Sequence, residues 1–283
     1  MAARAGFDGV MLSEGHGVSG NLPNPLQVVG WLLDAMPAGW AAPCPLLLPL
    51  RAPGIVAEEV AWLAARHPGR VGIGVGVGGH RDQYERLGQD FDHRVGTYES
   101  GLRTLVDALG GRGPLAGDAA ITACAASPVP VVSAALSVGA VERAARARAG
   151  IVGDSLMTVE RAAELGDRYR RLGGTGAQVV IRRVWIGERP SRPAMDGQLA
   201  WYRAAAGPRQ TASWGAIDQT IATPDGPALV EALTSVTDRV GPVAINLRVH
   251  AAGLHAAEVA EQVLRIGEEV LPALRVALGG SVP

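Results

Sequence analysis

Lysine is absent. All 26 basic residues are arginine, so an internal Schiff-base lysine and a phosphate-loop lysine are both excluded. Asparagine occurs only at 21, 24 and 246 amid abundant alanine and glycine, a bias that matches GC-rich bacterial coding. The two cysteines, Cys44 and Cys124, have no CxxC spacing, which excludes a disulfide framework and a structural zinc site of that kind and fits a reducing cytoplasm. With 26 basic and 27 acidic residues the net charge is −1, so no field gathers nucleic acid or an anionic membrane. The most apolar stretch, 28–50, is interrupted by Asp34 and by prolines at 37, 43, 45 and 49, and the N-terminal residues lack the pattern of a signal peptide. A cytoplasmic protein is expected. No HxH, HExxH or Gly-x-Ser-x-Gly is present, and His250 and His255 lack nearby carboxylates at ligand spacing, so neither a metal enzyme nor a serine hydrolase is indicated. Cys44, flanked by prolines, reads as core.

What is present is material for a sizeable core: 48% of 283 residues are hydrophobic and 19% charged, with no low-complexity linker. Short apolar runs at 10–13, 44–48, 70–75, 130–134, 151–152, 179–186 and 243–249 read as buried parallel strands. Segments of helical period separate them, at about 24–36, 54–66, 95–109, 137–148, 158–172, 224–239 (capped by Thr223) and 255–278, the last interrupted by Pro272. The alternation predicts an α/β fold in one domain, 1–283, with an irregular insert at 187–218. Seven strands are one short of the closed (β/α)8 TIM barrel that such a series builds. The shortfall is at the start, where Ala2-Ala3-Arg4-Ala5-Gly6 looks like the end of a helix running into the strand at 10–13. The expectation is a barrel lacking its first strand, either because the recorded start is late or because the barrel is open at one seam.

Several ordered motifs carry a family resemblance. They are Ala-Gly-Phe-Asp-Gly-Val-Met-Leu-Ser-Glu-x-His (5–16), Leu-Pro-Leu-Arg-x-Pro-x-x-x-Ala-Glu-Glu (48–59), Gly-Arg-Val-x-Ile-Gly-Val-Gly (69–76), Asp90-Phe91-x-x-Arg94, Pro-Val-Pro-Val-Val-Ser-Ala-Ala-Leu-Ser (128–137), Gly253-Leu254 and Glu-Glu-Val-Leu-Pro (268–272). Together they resemble the luciferase-like monooxygenases, flavin-dependent oxidoreductases built on a βα barrel that begins one strand earlier.

The resemblance gives meaning to residues whose own chemistry leaves alternatives open. Gly74-Val75-Gly76-Val77-Gly78-Gly79 satisfies GxGxxG after a strand, with Glu99 20 residues beyond the last glycine. Against a dinucleotide site stand its place in the third unit and the polar 80–86 stretch, where a helix would have to open. The glycines serve either a tight turn or, as the resemblance implies, the approach of a flavin ring to Gly76 and Gly78. The junction Ala134, Ala135, Leu136, Ser137, Val138 is an ordinary serine N-cap or, by resemblance, part of the cofactor phosphate site, where helix amides attract an anion. His16 is a solvated loop residue or, by resemblance, the catalytic histidine facing the flavin; the family often has Glu-His-His where this chain has Glu14-Gly15-His16, so one histidine is absent. Arg51 can hold an anion or pair with Glu58 or Glu59, and of Arg182 and Arg183 one must point into the barrel. Trp62 reads as helix packing, whereas Trp185, Trp201 and Trp214 are candidates for lining a substrate pocket.

The resemblance therefore implies a monooxygenase that takes reduced FMN from a separate flavin reductase and, with dioxygen, oxidises a small organic substrate. A second version transfers hydride with the deazaflavin coenzyme F420, and a third is a non-catalytic flavin-binding barrel. Family members are commonly homodimers.

Overall fold

The first unit shows how local sequence places the elements. β1 (Gly9–Leu12) leads to α1 (Pro25–Ala35), where Asn24 caps the helix by accepting the Gln27 N–H and Pro25 occupies the first turn. In this computed structural model, residues 1–17, 22–207, 211–215, 218–241 and 243–279 are described. Of the apolar run expected as one strand at 44–48 only β3 (Leu46–Leu47) is strand, and a further strand, β2 (Trp40–Pro43), precedes it. Pro43 and Pro45 have no N–H to donate, so the ladder breaks there. After α2 (Pro53–Arg66) comes β4 (Ile73–Gly76). A helix, α3 (Arg81–Arg86), does open in the polar stretch that was expected to lack one, because Gln83 and Tyr84 turn inward from it.

α4 (Arg94–Ala108) and the short α5 (Ala119–Ala123) precede β5 (Val131–Ala134), and the pairs β5/α6 (Val138–Ala147) and β6 (Gly150–Val152)/α7 (Val159–Arg171) match expectation closely. β7 (Gln178–Ile186) is followed by α8 (Pro193–Ala205) and β8 (Thr220–Thr223), regular elements inside and beside the segment expected to be irregular; 208–210 and 216–217 of that segment lie outside the described residues. α9 (Gly226–Val240) is capped by Asp225, whose carboxylate accepts the Ala228 N–H, and not by Thr223, whose hydroxyl donates to the Asp225 carbonyl. β9 (Ala244–Arg248) ends the strands, and the closing helix divides at Val270 into α10 (Ala256–Glu269) and α11 (Leu271–Ala277), with Pro272 in the first turn of the second.

Every strand pairing is parallel. β3, β4, β5, β6, β7 and β8 follow one another, β9 joins β7, and β1 pairs with β2. A bridge between Ala41 and Val71 ties β2 to the approach to β4, so the strands succeed one another as the staves of a TIM-like barrel do. β7 is long enough to serve two neighbours: residues 179–183 pair with β9 and 183–186 with β8. Helices cover the outside. Val29, Val60, Leu102 and Leu105 pack against the first strands, Val141, Leu165 and Val240 against β5–β7, and Leu229, Leu233, Ile266 and Val270 against the last ones. A small inner core of Cys44, Val132, Val152 and Val179 fills part of the interior.

Nine strands are present among the described residues where seven were expected, and no ladder joins β1 to β9; the structure gives no support to the expectation of a missing first strand, and closure of the ring is not seen. The gap is bridged by side chains: Arg275 donates to the Gly6 carbonyl at 2.5 Å and to Asp8 at 2.7 Å, and the first turn, Ala2–Ala5, lies on Gly267 of α10. Gly6, at φ 89, ends that turn as the alanine-rich start predicted.

Candidate active site

Immediately after β1 the chain buries a carboxylate. The Glu14 side chain is completely inaccessible and holds three donors: Arg51 Nη2 at 2.6 Å, the Leu47 backbone N–H, and the His16 ring nitrogen Nε2 at 2.8 Å. Its own amide donates to the Pro45 carbonyl, and Gly15 donates to Leu22, so backbone and side chain are fixed together. Arg51 thus pairs with Glu14, with a further bond to the Pro23 carbonyl, and not with Glu58 or Glu59. His16 is 14% exposed, held by Glu14 on one side, with its amide on Gln83 Oε1 at 3.4 Å.

Glu14 and Gly15 border a cavity of about 1980 Å³ that runs through the barrel interior and reaches the gap beside β1. Ligand sites usually occupy about 300–1,000 Å³, so the space exceeds one small molecule. One wall is made by Gly74 and Val132 within β4 and β5 and by Gly76, Ala134 and Val152 at the carboxyl ends of β4–β6. A Cβ on Gly76 would lie 3.2 Å from Pro45 and 3.5 Å from Ala134, and one on Gly74 would collide with the Cys44 sulfur. Gly78 sits at φ +80 against Tyr84, whose hydroxyl donates to the Val77 carbonyl, so this turn needs glycine for its backbone as well as for its flatness. Cys44 also faces the cavity, and burial pushes its thiol up to about 12, as expected of a core residue with no nucleophilic role.

At the edge of that wall α6 begins. Ser137 caps it by accepting the Ala140 N–H, leaving the amides of the first turn without intrahelical partners. Leu136, Ser137 and Arg143 all line the cavity, and the buried Nε of Arg143 has no hydrogen-bond partner. Arg143 was not among the residues expected from the sequence; its place one turn into a helix opening at a strand end was the available signal.

Opposite, β7 and β9 bring a second basic group to the cavity. Arg248 and Ser155 line it, as do Val179 and Ile181 of β7; Arg183, on the same face of that strand by alternation, is buried behind this wall and is not itself a lining residue, while Arg182 points to the helix layer and donates to the Met157 carbonyl. Arg183 Nε and Arg248 Nη1 both reach the Ser155 hydroxyl, at 3.2 and 3.3 Å. Beside them His80 stacks on Trp201, with centroids 4.6 Å apart and planes within 8°, and burial lowers the His80 pKa against the opposing pull of Asp82. Trp201 and Trp214 line the cavity as predicted. Trp185 is not among the lining residues, and Trp62 is 58% exposed and donates to Asp118, so it is not the packing residue expected.

Of the residues singled out for a cofactor, Gly76, Gly78, Ala134, Leu136 and Ser137 meet on this cavity. Ala135 does not. Its side chain packs into the core under α6 and α7 and its amide donates to Val152. Val138 is a surface side chain whose contribution can come only from its amide.

A parallel βα fold with a glycine-walled cavity at the strand ends defines a barrel-type enzyme scaffold. A family model for luciferase-like monooxygenases matches residues 1–266, and the chain belongs to that family. No curated protein matches it in sequence. Among solved structures, the oxygenating constituent of 3,6-diketocamphane monooxygenase from Pseudomonas putida, in complex with FMN, superposes with a TM-score of 0.73 at 16% identity, covering 96% of this chain and 90% of that one. The monooxygenase RslO1 from Streptomyces bottropensis gives 0.71 at 17% identity, with the same coverage. An F420-dependent secondary alcohol dehydrogenase in complex with an F420-acetone adduct gives 0.71 at 15%, covering 97% and 92%. These likenesses show the fold, and the family is one of oxidoreductases and monooxygenases.

Proposed function

We propose that the chain is a flavin-dependent monooxygenase that uses reduced FMN, supplied by a separate reductase, and dioxygen to oxidise a small organic substrate in this cavity. The observation that carries the reading is the convergence, on one cavity, of a flat glycine wall, a helix start with an arginine, and the Glu14-Gly15 turn; His16, held by Glu14, stands next to that turn and is not itself a lining residue. The residues fit such a group. Gly76 and Gly78 leave backbone where a planar ring needs room, and the α6 amides with the unpartnered Arg143 Nε suit a phosphate. Ser137 and Val138 would hold the phosphate end, Ala134 and Leu136 would bound the ring, and His16, fixed by Glu14 through Nε2, would hold or move a proton at Nδ1. When bound, reduced FMN supplies the electrons for oxygen insertion, whereas F420 supplies a hydride.

The experiment is a pair of anaerobic titrations, with reduced FMN and with F420, followed by tryptophan fluorescence, since Trp201 and Trp214 line the cavity. Saturable binding of reduced FMN alone supports the monooxygenase. Binding of F420 alone moves the assignment to hydride transfer, and binding of neither overturns it.

A further inference from the structure

Arg183 and Arg248 are direct register partners in the parallel ladder of β7 and β9, so their side chains leave the same face of adjacent strands. Like charges so placed repel each other. Arg183 is 4% exposed, and its buried Nη2 has no hydrogen-bond partner. Among the described residues neither guanidinium makes an ion pair: Asp218 is engaged by Arg189 at 2.6 Å and by Thr220, and Asp154 accepts from the Leu156 and Met157 amides and from Trp214 Nε1. The two arginines share one neutral acceptor, the Ser155 hydroxyl, which lines the cavity beside Arg248, and Arg248 Nε also donates to the His250 carbonyl at 3.2 Å. Burial, with Arg248 next in effect, lowers the Arg183 pKa to about 10, still charged at neutral pH.

Two cations are thus assembled at a fixed spacing, with an unused donor on Arg183 and with no carboxylate among the described residues bonded to either, Asp218 and Asp154 acting on Arg183 only from a distance. A protein gains nothing in stability from this arrangement. An oxyanion lying between the guanidiniums completes it: Arg183 Nη2 acquires an acceptor, the mutual repulsion is screened, and Ser155 supplies a third donor. We infer that Arg183, Arg248 and Ser155 form the subsite for a carboxylate or phosphate group of the substrate, on the cavity wall opposite the helix start assigned to the cofactor. Trp201 and Tyr202 border the same region and offer apolar surface to the rest of such a molecule. The substrate class is therefore a small organic acid or phosphate ester. The role as substrate subsite rests on the proposed flavin-dependent function, whereas the affinity for anions does not.

The test uses benzoate and inorganic phosphate as probes in calorimetric titrations at low ionic strength, with wild type, Arg183→Met, Arg248→Met and Ser155→Ala, alongside FMN and riboflavin titrations of each. Wild type is expected to bind at least one anion saturably, each arginine variant at least about 30-fold more weakly, and Ser155→Ala to lose less. Arg183→Met removes a buried like charge and is expected to melt no lower than wild type, which separates lost binding from lost folding. Absence of anion binding by wild type, or undiminished binding by both arginine variants, overturns the inference. Loss of FMN affinity with riboflavin affinity intact would assign the cluster to the cofactor phosphate, and likewise overturns it. If wild type binds the anions but neither FMN nor F420, the flavin-dependent function fails while the anion site stands.

Discussion

Removing the Glu14 carboxylate is the most informative single perturbation, because three donors converge on a side chain with no access to solvent. In Glu14→Ala the Leu47 amide is left buried without an acceptor, a loss of about 1–3 kcal/mol. Arg51 loses its ion pair, which costs 3–5 kcal/mol when the surviving charge is fully buried. Its side chain is 25% exposed and keeps the Pro23 carbonyl, so about 1–2 kcal/mol is the fitting share here. The sum is about 3 kcal/mol, and at about 2–4 °C per kcal/mol for a chain of this size the melting temperature falls by about 6–12 °C. Circular dichroism melts of Glu14→Ala, Arg51→Met and the double variant check this. A double variant less destabilised than the sum of the singles, by about 1–2 kcal/mol, is the expected coupling. A Glu14→Ala melt within about 2 °C of wild type, or strictly additive effects, would refute the reasoning and with it the view that this carboxylate orients His16.

Three further outcomes follow from the same structure. Arg143→Met and Ser137→Ala should weaken FMN binding about 10-fold or more while leaving riboflavin binding unchanged, as measured by fluorescence titration, because only the phosphate distinguishes the two ligands at a helix start. Neither Cys44 nor Cys124 should react with a thiol reagent in the native protein at pH 8, since burial raises both thiols; two equivalents should label in denaturant, and rapid native labelling would contradict the assigned burial. Asp218, buried and paired with Arg189, has its pKa held below the ordinary aspartate value of 3.8 by the Arg189 and Thr220 hydrogen bonds, against the opposing effect of burial. Its contribution is complete above that value and lost as the pH falls through the lower folded one. Asp218→Asn should therefore destabilise by about 1–2 kcal/mol at pH 7, with the gap from wild type closing below about pH 4.

The strands at 130–134, 151–152 and 179–186 were legible because an interior parallel strand is a short unbroken apolar run, and the helices after them because one stripe of each is apolar. The strand expected at 44–48 was misplaced because prolines at 43 and 45 interrupt a ladder without interrupting the apolar run. α8 was missed: its hydrophobic positions are too scattered to form a clear stripe, and Pro193 at its start was the only strong cue. Asp225, and not Thr223, caps α9, a distinction between adjacent polar residues that composition cannot make.

Composition and motif order determined by themselves that this is a parallel βα protein without lysine chemistry, with no cysteine framework, and with glycines at a strand end and Ser137 at a helix start. Those features are local: each depends on a residue's own backbone preference or on neighbours within a turn. Only the tertiary structure decided that Glu14 reaches Arg51 and Leu47 across more than thirty residues, that Arg183 and not Arg182 turns to the Ser155 side of β7, and that it meets Arg248 in register. Such pairings depend on strand order and on which face of each strand turns inward, and a slip of one residue in β7 would exchange the two arginines.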